Sequence, residues 1–164
     1  QEKKYHHVLP GFNYRLEGLQ GAVLNVKLPR LDEANARRST RAALYNQLLS
    51  GSGVRTPATA PETTSHVFHV YAIRVADREQ LQHDLTAAGV QTGIHYPIPV
   101  HLTEAYSSLG YRKGDFPESE RAAAEVLSLP MFPELTEDQV LEVADAVTNA
   151  MRGAASGILA EVPA

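Results

Sequence analysis

The chain has 164 residues, no cysteine and a formal net charge of −4, which suits one domain with its own core, whole or cut from a larger protein, and excludes a disulfide framework, a thiolate metal site and a cysteine nucleophile. A hydrophobic content of 43% with no apolar run near the roughly 20 residues of a membrane helix describes a soluble protein, and the lack of cysteine fits the cytoplasm. Charge is uneven: residues 1–55 hold nine Lys/Arg against four Asp/Glu and the rest six against fifteen, so the first third favours a small phosphorylated ligand over nucleic acid.

The chain opens at Gln1, without Met, leader or cleavage pattern, and is expected to be a portion of a longer one. Residues 1–15 show no stable period and read as an extended segment with a turn at Pro10-Gly11. Leu16, Leu19, Val23 and Val26 then recur at three- or four-residue steps, a helical pattern that Pro29 should kink or break. A second helix is predicted over Asp32–Leu49, ending at Ser50-Gly51-Ser52-Gly53, with Arg37, Arg38 and Arg41 on a solvated face. Residues 16–50 thus form a helical arm, and its apolar stripe is expected to dock outside this chain. A proline- and threonine-rich linker follows at 51–65.

Residues 66–75, HVFHVYAIRV, read as a strand. Asp77 caps a helix that stops at Gly89, and 90–95 reads as a second strand. The proline-rich stretch after it is an ordered surface loop with a short helical piece. Ser119–Val126 is predicted helical and 127–132 a third strand. Thr136 with Gln139 three residues on is a capping box, opening a last helix with Val140, Val143, Ala144 and Val147 on its buried stripe. The fold class is therefore α/β, or α+β: a three-stranded sheet with flanking helices as a small domain over 66–151, with a frayed tail at 152–164.

Four groups of residues bear on chemistry. The histidines do not assemble a metal site: His66 and His69 fall on opposite faces of the predicted strand, and the others lack a carboxylate cluster. His95 and Tyr96 precede Pro97 at a strand end, where a stiff loop either presents them at a cleft edge or packs them as structural residues. Asn13 and Arg15 lie just ahead of a helix N-terminus, an arrangement that can hold a phosphate or can cap the helix with Arg15 solvated. Lys3, Lys4, Lys27 and Lys113 all sit in polar contexts, unlike the buried amine a Schiff base requires.

From YHHVLPGFNYRLEGLQGAV, through VKLPRLDEANARRSTRAALYNQLL, HVFHVYAIRV and GIHYPIPVHLTEAY, to GDFPESERAAAEVLSLPMFPELTEDQV, the sequence resembles the C-terminal part of the DegT/DnrJ/StrS-type sugar aminotransferases. The resemblance implies a fold type I enzyme dependent on pyridoxal 5'-phosphate, usually a homodimer, that moves an amino group from glutamate or glutamine to a nucleotide-linked keto sugar. It implies that the Schiff-base lysine lies upstream of this chain, which alone should be inactive and holds no catalytic residue. It further implies that Asn13 reaches the cofactor phosphate of the opposite subunit, that Arg15 lies nearby, and that His95 and Tyr96 sit on the substrate side. The alternatives are a non-catalytic dimerising or binding module, and a sugar dehydratase of the same family with histidine in place of that lysine.

Overall fold

The computed structural model describes residues 8, 11, 17–60 and 66–160, the last few, 154–160, as backbone alone. Helix α1 spans Gly18–Lys27 and α2 spans Leu31–Leu48, separated by a 3-10 turn at Leu28–Arg30 that carries Pro29. The kink falls where a residue without an N–H was expected to place it.

The two helices differ in environment. Helix α1 buries no residue, and Leu19, Leu24, Val26 and Leu28 are exposed. Ala42, Tyr45 and Leu49, at and just past the end of α2, are fully buried in the main core. The expected 16–50 arm is therefore, over its described residues 17–50, not undocked throughout. Their second half is core, and Arg41, read as solvated, instead donates to the Leu135 carbonyl at 2.7 Å and pairs with Glu137 at 2.9 Å.

After a turn at residues 50–54, Arg55 exchanges two backbone hydrogen bonds with Arg74, so the linker touches the sheet. Strand β1 spans Tyr71–Arg74 and β2 spans Val126–Leu129, antiparallel, with Tyr71 opposite Leu129 and Arg74 opposite Val126. The predicted three-stranded sheet is thus two-stranded. Residues 66–70 stay out of the ladder because the chain turns there: Phe68 has φ +43° and donates its amide to His66 Nδ1. The partner strand is also short, since Pro130 ends it by lacking a donor.

Residues 90–95 supply one bridge only, Gly93 to Ser128. The preceding helix α3, Arg78–Ala87, ends with Gly89 at φ +82° and with the Val90 amide donating to the Leu85 carbonyl, which ties the start of the expected strand into the helix cap. Pro97 and Pro99 then prevent a continuous ladder beyond it.

Asp77 caps α3 by accepting the Gln80 amide at 3.0 Å. Helix α4 spans Pro117–Glu125 and α5 spans Glu137–Ala160, so the last helix continues past Met151, where fraying was expected. The Thr136 and Gln139 side chains accept each other's backbone amides, the reciprocal capping box read from the sequence. Val140, Val143, Ala144 and Val147 face the core with Leu81, Leu85, Ile73 and Leu127. Stacked rings of Tyr45 and Tyr71, 4.8 Å apart, link α2 to β1; their hydroxyls donate to the Pro130 carbonyl and Asn46 Oδ1. Burial pushes both phenols above the usual tyrosine range. No helix among the described residues is long and apolar enough to cross a membrane.

Candidate functional site

One side of the sheet ends in a cleft of about 580 Å³ whose walls come from the loop after Gly93 and from α4. That volume lies in the usual range for small-molecule sites. Its lining is mainly apolar and aromatic, with Tyr106, Tyr111 and Phe116 facing Ala122 and Val126, and His95 and Tyr96 at its edge. The loop is built from two 3-10 turns, Val100–Leu102 and Glu104–Leu109, and a left-handed glycine at 110.

A carboxylate holds the loop to α4. Glu120 accepts the Gly114 amide at 2.8 Å, lies 3.0 Å from His101 Nε2 and accepts the Phe116 amide at 3.4 Å. The Gly114 amide, with the His101 ring and the Phe116 amide, lowers the Glu120 carboxyl below its ordinary value, because each favours the charged form against desolvation. The His101 ring meets Phe116 edge-on at 4.8 Å, and its side chain is only 8% exposed. His101 is thus a packed, paired residue of the cleft wall.

His95 and Tyr96 follow Gly93 closely and are joined by a cis peptide bond. Tyr96 is 62% exposed at the cleft edge, and its ring stands edge-on to His95 at 5.7 Å. His95 Nδ1 lies 3.0 Å from the hydroxyl of Ser128, which is buried in β2. The two residues singled out in the sequence therefore share one rim, whereas Ser128, Glu120 and the three cleft aromatics were not foreseen. The contacts of Ser128 with His95 and of Glu120 with His101 cross 33 and 19 residues of sequence and leave no local period; the aromatic density of 106–116 was the signal available.

Asn13 and Arg15 lie outside the described residues, as do Lys3 and Lys4. Lys27 and Lys113 are both exposed. Among the described residues there is no group of three or more His, Cys, Asp or Glu side chains that could hold a metal ion, and no buried lysine that could carry a Schiff base.

The chain is 46% identical over 153 residues to a pleiotropic regulatory protein of Geobacillus stearothermophilus, covering 92% of this chain and 41% of that protein. It is 44% identical over 146 residues to the dTDP-3-amino-3,4,6-trideoxy-alpha-D-glucose transaminase of Streptomyces venezuelae, covering 88% and 38%. The crystal structure of S. venezuelae DesV in complex with a ketimine intermediate superposes with a TM-score of 0.79 at 42% identity, over 92% of this chain and 41% of that one. The chain thus spans about two-fifths of the length of these relatives. The family model described as the DegT/DnrJ/EryC1/StrS aminotransferase family matches residues 1–148, and the chain belongs to that family.

Proposed function

We propose that this chain forms the cleft-bearing part of a pyridoxal-phosphate aminotransferase that moves an amino group from glutamate or glutamine to a keto sugar carried on a nucleotide, acting as a cytoplasmic homodimer. The observation that carries the reading is the likeness to a nucleotide-sugar transaminase across the residues that build the cleft. Within it, His95 and Tyr96 bind the sugar nucleotide at the rim, and the aromatic wall excludes water around it. Asn13 and Arg15 bind the cofactor phosphate of the opposite subunit.

The described residues offer no amine suited to the cofactor carbonyl, so no chemical step is assigned to them. Pyridoxal phosphate, when bound, supplies the electron sink for amino transfer. The test is to assay a longer protein that holds this chain together with the upstream lysine, with pyridoxal phosphate, glutamate or glutamine, and dTDP- and UDP-linked 3-keto and 4-keto sugars. Amino sugar formed in step with consumption of the donor is the expected result. Failure with every pairing, in protein that binds the cofactor, would discard the activity.

A second reading rests on the relative described as a pleiotropic regulatory protein. In it the chain serves a binding module that dimerises and recognises a sugar nucleotide without turnover. Saturable binding of the nucleotide sugar with no amino transfer is the result that distinguishes it. Replacement of amino transfer by loss of water from the sugar would instead mark the dehydratase chemistry.

A further inference from the structure

We propose that Ser128 is a positioning residue that holds the neutral His95 imidazole as its Nε2–H tautomer, so that the ring offers an N–H donor to an acceptor oxygen of the bound nucleotide sugar. The inference rests on His95 being a substrate contact, as proposed above.

Ser128 is 4% exposed, and both of its backbone groups are committed to Gly93: its amide donates to the Gly93 carbonyl at 2.7 Å, and its carbonyl accepts the Gly93 amide at 3.0 Å. This reciprocal pair fixes the hydroxyl relative to a backbone point two residues before His95. Oγ then lies 3.0 Å from Nδ1, and among the described residues no hydrogen bond gives the hydroxyl proton another acceptor. A buried O–H left unpaired is costly, so the proton is donated to Nδ1. A neutral imidazole that accepts at Nδ1 carries its own proton at Nε2.

Gly93 completes the seat. A Cβ there would stand 2.7 Å from His95 Cε1, so the ring rests against the glycine backbone and any side chain at 93 would displace it. Nε2 has no protein partner among the described residues, while the ring lines the cleft. Packing alone would accept alanine at 128. The hydroxyl adds an orientation.

The tautomer of the neutral ring is read directly by long-range proton–nitrogen correlation spectra of the full chain labelled at histidine. Wild type should show the Nε2–H form, Ser128→Ala a mixture of both forms, and Ser128→Thr the wild-type form. Gly93→Ala should perturb His95 with the Ser128 hydroxyl retained, which keeps the idea testable if Ser128→Ala fails to fold by circular dichroism. A dominant Nδ1–H form in wild type, or a Ser128→Ala spectrum identical to wild type, overturns the proposal. In the intact enzyme Ser128→Ala should raise KM for the keto sugar roughly five- to tenfold with kcat little changed. If Ser128→Ala and His95→Gln both leave KM unaltered although the tautomer is released, the substrate role of His95 falls while the tautomer assignment stands. If His95→Gln alone raises KM, the positioning role falls instead.

Discussion

Glu120 receives the Gly114 amide, the His101 ring and the Phe116 amide on one carboxylate, and so joins three points of the cleft loop to α4. Its folded-state pKa is lowered, so the stabilisation it gives is fully present above the ordinary glutamate value of about 4.3 and is lost as the pH falls through the folded value. An acid titration followed by the Gly114 amide resonance should therefore show a step below the ordinary glutamate range, and Glu120→Gln should abolish it. A step at the ordinary value would mean that the three contacts do not favour the charged form. Asn13 is the second residue with a sharp expectation. If its amide binds the phosphate of the opposite subunit's cofactor, Asn13→Ala in the intact enzyme should weaken cofactor binding about ten- to a hundredfold, a hydrogen bond to a charged group being worth about 1.5–3 kcal/mol. Mixing Asn13→Ala subunits with subunits that lack the Schiff-base lysine should restore up to about half of wild-type activity, because one of two sites is rebuilt. Verified heterodimers without recovery would remove Asn13 from the cofactor site.

At the scale of elements, caps were the most legible features, since each is a short local pattern with a single physical cause. Asp77 and Thr136 with Gln139 act as their spacing implied. Asp77→Ala should cost about 1 kcal/mol, measured by urea unfolding, because the Gln80 amide loses its acceptor; no change in midpoint would show that water replaces the cap. The second predicted strand, 90–95, was misread because burial of an apolar residue there reports packing and not pairing. Val90 is buried, yet its amide closes α3. The arm was misread for the opposite reason. The second helix is rich in charge and its average character is polar, while its fully buried residues are Ala42, Tyr45 and the adjoining Leu49, spaced three and four apart. His95 and Tyr96 were singled out because a following proline marks a stiff loop, but the Ser128 hydroxyl beside His95 lies 33 residues away in a strand whose sequence reads as plain core.

At the scale of the molecule, one apolar cluster unites α2, β1, α3, β2 and α5, while α1 stands outside it with its leucines and valines exposed. The two described lysines, Lys27 and Lys113, are both exposed. The chain on its own should consequently show no long-wavelength absorbance on addition of pyridoxal phosphate, and borohydride reduction should label no single lysine stoichiometrically. One lysine labelled in full would overturn this and would relocate the chemistry into this chain. The same labelling on the longer protein should give one site outside these 164 residues.

The cleft is drawn almost entirely from residues 95–126, a continuous run that leaves the core beside Gly93 and returns to it at β2. Its lining comes from this one excursion, α4 included, so the cleft behaves as a cassette. If the cleft takes the ligand as proposed, substitutions between Pro97 and Phe116 should reshape what it accepts while the buried cluster keeps its composition, and exchanging this stretch between two relatives should move ligand preference from one to the other.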